Sequence, residues 1–404
     1  VRLGRHSAAG LLALALAGLA FLVIQDARVN AALETTPAEA LARDPSDPRA
    51  LAAAADLALA RARTPDQIQS AADLARRALA RGPTQMDALR DLGLSRASRG
   101  DFAGAFRILS LAGARTPLDA PTHLWLMDDR LLSGDYAGAF LDADELLRHQ
   151  PDRLAALAPI LTAYAGPGAQ ALVARLATAP PWADAFLEAL ARRAPDPATT
   201  FAVLLGLEDR GRPPSDAAVS AYLDRRVAAG AYRAAYLDWL QLLPRAALAH
   251  AGAVYDGEFE GLPGDAPFNW AFQSGVGGEA DISRSDLAPW AGALHVRYDG
   301  YSTPDLAAQL LVLDPGEWRM SGEVRSTGDA GNALAWTVVC ADDPRLILAS
   351  RVAPSASDGW QSFDVVFRTP ARGCEGQWLR LTPIPSDHER PIEAWFTNLA
   401  LARG

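Results

Sequence analysis

The hydrophobic pattern changes twice along the chain. Behind Arg2, Arg5 and His6, an uncharged run extends from Ser7 to Ile24, rich in Leu and Ala and free of Pro. The text up to about residue 250 is dominated by Ala, Leu and Arg and reads as helices broken by Gly and Pro. From Val254 it turns to short alternating stretches punctuated by Gly, Pro, Asp and Ser. The segments 318–324, 333–339, 361–367, 377–382 and 394–401 each fit a strand with one buried face. The predicted divisions are 1–31, an export segment; 32–153, regular helical repeats; 154–252, irregular helical hairpins continuing the array; and 253–404, a β-sandwich.

As a helix, the first run spans about 27 Å at roughly 1.5 Å per residue, close to the hydrocarbon thickness and longer than the apolar core of a cleaved signal. It predicts an N-terminal transmembrane anchor, with the N-terminus cytoplasmic behind its arginines and the bulk periplasmic. Val29-Asn30-Ala31 supplies the competing reading, cleavage after Ala31 and secretion to the periplasm.

A period of 34 residues organises the next segment. Gly100-Asp101-Phe102-Ala103-Gly104-Ala105-Phe106 recurs as Gly134-Asp135-Tyr136-Ala137-Gly138-Ala139-Phe140, and Pro83, Pro117 and Pro151 keep the same interval. The pattern resembles tetratricopeptide repeats: Leu92-Gly93, Ala105 and Pro117 in one unit, Leu126, Ala139 and Pro151 in the next, with Met127 where the family carries Gly. The resemblance implies an all-α solenoid whose groove binds a protein partner. Small residues let paired helices approach, Gly-Asp turns the chain, and Pro ends the second helix. Gly230 to Tyr236 echoes the turn further on. His123 and His149 have no partner at metal-ligand spacing and read as surface residues.

In the last segment Asp256 to Glu260, Gly316-Glu317-Trp318, Gly359 to Phe363 and Trp395 to Leu401 resemble strands of jelly-roll carbohydrate-binding modules. The order of repeats followed by such a sandwich, with Ala266 to Trp270 near its start and Cys374 to Leu381 near its end, resembles exported repeat proteins associated with bacterial exopolysaccharide clusters. The resemblance implies glycan binding. The candidate face carries Trp270 and Trp336, with Arg297 or Arg380 as hydrogen-bond donors. Related modules hold a structural calcium, for which Glu258 and Glu260 offer oxygens, but Thr397-Asn398 stands where an Asp is often found. No other cofactor is implied. Cys340 and Cys374, the only cysteines, read as a disulfide in an exported domain, or else as two separate buried thiols.

Charge and motifs narrow the function. The net charge of −10 argues against a nucleic-acid partner. All 38 basic residues are arginine, which removes Schiff-base and phosphate-loop lysine chemistry. No nucleophile elbow, zincin motif or dinucleotide fingerprint is present. These exclusions leave a non-catalytic envelope scaffold, and the resemblance to exopolysaccharide-cluster proteins implies that it supports polysaccharide assembly or export. The alternatives are a purely structural assembly factor that never meets a sugar, and a glycan-modifying enzyme with an acidic pair near Asp256.

Overall fold

The computed structural model describes residues 36–284, 290–300, 303–327, 333–355, 359–384 and 391–404, with single positions between 19 and 33. Of the run Ser7–Ile24 only Leu19, Val23 and Ile24 are among them, so the anchor lies outside the described residues. Among the described residues no helix is long and apolar enough to cross a membrane.

The chain forms two compact units that divide between Leu157 and Ala158. In the first, α1 (Pro37–Arg43), α2 (Pro48–Arg61) and α3 (Pro65–Arg81) each open on a proline, which has no N–H to lose at the first helical position. Thr64 and Gln67 close a reciprocal cap on α3. Two hairpins follow, α4 (Met86–Ala97) with α5 (Phe102–Gly113), and α6 (Ala120–Ser133) with α7 (Tyr136–His149). Their turns are copies of one another. Gly100 and Gly134 adopt φ of +82° and +83°, and Asp101 and Asp135 accept the N–H of Gly104 and Gly138 at 2.9 and 3.0 Å. A Cβ on Gly93 would lie 2.6 Å from Leu109, so the glycine sets how closely α4 and α5 pack.

Charge is also buried in this unit. Arg90 bonds Asp91 (3.0 Å) and Asp87 (3.1 Å) of its own helix, Asp56 (2.7 Å) on α2, and Asp119 (3.0 Å) before α6. One guanidinium thus ties three successive hairpins. His123 departs from the expected surface position: it is buried against Asp142 at 2.9 Å, and Arg130 holds the other carboxylate oxygen at 2.5 Å.

The second unit begins within α8 (Leu154–Tyr164). It continues through α9 (Ala169–Leu176), α10 (Ala183–Arg193), α11 (Pro197–Glu208), α12 (Asp216–Ala228), α13 (Tyr232–Leu242) and the short α14 (Arg245–Leu248). The sandwich belongs to the same compact unit as the helices from residue 158 onward. Aromatic packing is the reason. Trp239 of α13 meets Tyr255 and Phe268 at ring distances of 5.0 and 5.7 Å, and Tyr236 meets Phe268 at 5.4 Å. A Cβ on Gly376 would strike the Tyr232 ring at 2.6 Å, so the sandwich leaves room there for the helix. Such pairs add to the apolar area they bury, and the segment after α14 is a packed seam.

The sandwich has two antiparallel sheets. β1 (Ala271–Phe272), β5 (Ala307–Leu311), β10 (Gln377–Pro383), β7 (Leu334–Cys340) and β8 (Ile347–Val352) form one in the order β1-β5-β10-β7-β8. β2 (Ser274–Gly275), β3 (Gly278–Ser283), β4 (Ala293–Tyr298), β11 (Ile392–Arg403), β6 (Gly316–Thr327) and β9 (Gln361–Thr369) form the other, ordered β2-β3-β4-β11-β6-β9. Alternation places Leu379 and Leu381 of β10, and Ala394 and Phe396 of β11, in the core between the sheets. Cys340 and Cys374 form the disulfide, with Cα atoms 5.3 Å apart. The bridge closes a loop of 34 residues, so its reduction is expected to lower stability by about 2–4 kcal/mol. Urea unfolding with and without a phosphine reductant checks this; unchanged midpoints would refute a stabilising role.

Candidate functional site

Residue alternation decides which aromatics are free to bind. Trp336 is wholly buried and Trp270 is 8% exposed; they pack together at 5.8 Å, with Phe396 on the far side of Trp336 at 5.7 Å. The expectation that these two rings carry a glycan face is corrected: both fill the core, where no sugar reaches them. Trp318 also packs against the core, whereas Trp290, Trp360, Trp378 and Trp395 are half-buried and lie outside it.

Two of those four, Trp290 and Trp395, lie on the outer face of the six-stranded sheet. On β11, Phe396 points inward, so its neighbour Trp395 must point out. Register sets Asp281, His295, Trp395 and Arg325 side by side across β3, β4, β11 and β6. The adjacent row is Glu279, Arg297, Glu393 and Thr327. The β6–β9 pairing ends with Val324 opposite Gln361, which leaves Trp360 just before the first residue of β9. Trp290 closes the other side by donating its indole N–H to Glu323 at 3.2 Å.

The contacts within this face are specific. The His295 ring stacks on Trp395 with centroids 5.0 Å apart and planes 16° from parallel. Its Nδ1 lies 3.1 Å from Asp281 and its Nε2 2.8 Å from Glu393. The Arg325 guanidinium lies 6.0 Å from the Trp395 centroid, and Arg297 pairs with Glu279. Indole rings beside carboxylates and guanidinium groups supply a stacking surface with both donors and acceptors, the combination that recognises a hydroxyl-rich ligand.

Arg297, expected beside Trp270 and Trp336, stands instead on this outer face. Arg380 stands on the opposite sheet, where it lies over Trp378 at 5.3 Å and pairs with Asp305 at 3.3 Å, so the two candidate arginines never meet. His295, Arg325 and Glu393 were missed. One signal was available: in Trp395-Phe396, consecutive aromatics on a strand must face opposite sides, so one of them had to leave the core.

Glu258 and Glu260, the candidate calcium ligands, lie in the loop before β1. Among the described residues no three His, Cys, Asp or Glu side chains converge to hold an ion. The neighbouring Asp256 carboxylate instead accepts the N–H groups of Glu260 (2.8 Å), Gly261 (3.0 Å) and Leu262 (3.1 Å), which orders that loop by itself. Burial raises the Asp256 pKa, against the pull of these three donors.

The first unit carries a separate apolar groove of about 450 Å³, lined by Leu59, Ile68, Leu94, Ala97, Phe102 and Trp125. Phe102 is 58% exposed at its edge.

No family model matches the chain, and no curated protein matches it. Among solved structures it is similar to the carbohydrate-binding module CBM4, at 15% identity and a TM-score of 0.29, over 37% of this chain and 99% of that one. It is also similar to the CBM22-1 xylan-binding domain of Paenibacillus barcinonensis Xyn10C, at 12% identity and a TM-score of 0.26, over 33% and 85% of the two chains. A further xylan-binding domain from CBM 22 shows 14% identity and a TM-score of 0.27, over 38% of this chain and 96% of that one. At these scores the likeness says nothing of what this chain binds.

Proposed function

We propose that this chain is a non-catalytic scaffold of the bacterial cell envelope. A tetratricopeptide-like array holds a protein partner, and the six-stranded face of the sandwich binds glycan in support of polysaccharide assembly or export. The proposal includes an inner-membrane anchor at Ser7–Ile24, or periplasmic secretion after cleavage, with the bulk of the chain periplasmic. The disulfide supports an oxidising compartment. The matched turns at Asp101 and Asp135 support the repeat reading, and the groove beside Phe102 and Trp125 supports a protein ligand.

One observation carries the glycan reading: Trp290 and Trp395 lie outside the core on one face, among charged hydrogen-bonding side chains. A glycan array probed with the full chain and with Trp395→Ala tests it. The expected result is retention of at least one glycan class by the parent and a loss of about three- to ten-fold in the variant, as stacking on an aromatic ring contributes about 0.5–1.5 kcal/mol. Retention of no glycan, or equal retention by both, would refute it. The purely structural reading draws on a different observation, that His295 and Arg325 already lie against Trp395 as a cross-strand ladder. Retention of no glycan by the parent chain would favour it.

A further inference from the structure

Resting on the glycan reading, we infer that the six-stranded face selects a cationic glycan, an amino-sugar polymer with free amines, over neutral and uronate polymers. Two independent features lead there. The first is charge. Glu279, Asp281, Glu323 and Glu393 supply four carboxylates to the face, against the guanidinium groups of Arg297 and Arg325. Glu279 and Asp281 are more than half exposed and Glu393 is 42% exposed, so all three reach an incoming ligand. Arg297 is matched by Glu279, which leaves Asp281 and Glu393 bracketing His295 with no guanidinium on them.

The second is that the central ring already carries a cation. Arg325 lies over Trp395, and among the described residues it forms no ion pair. An indole face holds a cation through its quadrupole, and more strongly where carboxylates enrich the local field. An amino sugar that displaces Arg325 offers the same ring an ammonium group, and sets its remaining amines near Glu393 and Asp281. A uronate offers the face a charge of the sign it already carries in excess, on a chain whose net charge is −10.

The experiment titrates the full chain, followed by tryptophan fluorescence and calorimetry, with three probes: a glucosamine hexamer, its N-acetylated counterpart and a galacturonate hexamer. The expected order is glucosamine first by about ten-fold over the N-acetyl form, from several exposed ion pairs and one cation–π contact. Uronate should bind last. The preference should shrink as salt rises from about 0.02 to 0.5 M, because exposed charge pairs are screened. Glu393→Gln with Asp281→Asn should erase most of the preference, lowering the affinity for glucosamine by several-fold more than that for the N-acetyl form, and Arg325→Ala should leave glucosamine binding intact or tighter. Equal or tighter binding of the N-acetyl or uronate hexamer would overturn this inference and leave the glycan reading standing. Binding of none of the three, together with an empty glycan array, would overturn both.

Discussion

Replacing Trp336 by Ala is expected to destabilise the sandwich by about 3–5 kcal/mol, because the largest side chain of the core is removed and its neighbours relax only in part. Trp336 is wholly buried, with Trp270 and Phe396 edge-on at 5.8 and 5.7 Å. Trp270, Phe396 and the inward leucines of β10 would line the resulting cavity. Trp395→Ala on the same sandwich is the internal control. It should cost less than about 1 kcal/mol, since that ring is half-buried and lies outside the core. Urea unfolding of the full chain, followed by near-ultraviolet circular dichroism, separates the two. Similar costs for both variants would mean that the inward and outward assignments on these strands are wrong. The contrast bears on function as well, because the ring that stabilises the fold cannot also be the ring that meets a ligand.

Arg90→Ala should be comparably severe in the helical unit, at about 3–5 kcal/mol. Four carboxylates converge on this guanidinium from α2, α4 and the residue before α6, and Asp91 is fully buried. Without Arg90 these charges repel one another with no cation between them. The cluster also predicts a pH dependence. Burial pushes the Asp91 carboxyl up to about 7, with Asp56 and Asp87 adding to the rise and Arg90 opposing it. A group whose pKa is raised by folding binds its proton more tightly in the native state. Its stabilising contribution is therefore full below the unfolded pKa of about 4, and is lost as pH rises through about 7. Unfolding of the parent and of Asp91→Asn across pH 4–8 checks the sign. The parent should lose on the order of a few kcal/mol over this window relative to the variant; a parent that gained stability with rising pH relative to Asp91→Asn would contradict the assignment.

Legibility was uneven, for physical reasons visible at single residues. The hairpin turns were readable because a left-handed glycine followed by a capping aspartate is a local device, written twice at the same spacing in 100–106 and 134–140. Strand alternation was equally local and found β6, β7, β9, β10 and β11. What period two leaves open is which of two adjacent bulky residues points inward. Trp395 was therefore passed over beside Phe396, although a sheet with one buried face has to expose one of such a pair, and Trp336 was taken for a surface ring although it fills the core. His123 was misplaced for a related reason: its burial depends on Asp142 and Arg130, one on the facing helix and one two turns along its own.

By itself the sequence determined the regular helical hairpins and the sheet-forming stretches, since each follows from spacing a few residues long, while the structure decided between a disulfide and two separate thiols. Only the tertiary structure decided where the compact units divide, because Trp239 must find Tyr255 and Phe268 across a chain reversal that leaves no mark in either segment. The same holds for the candidate face. Asp281, His295, Arg325, Glu393 and Trp395 come from four strands, and only the β3-β4-β11-β6 register sets them side by side. That register is fixed by which side chains fill the core beneath, an arrangement of the whole sandwich that no single strand encodes.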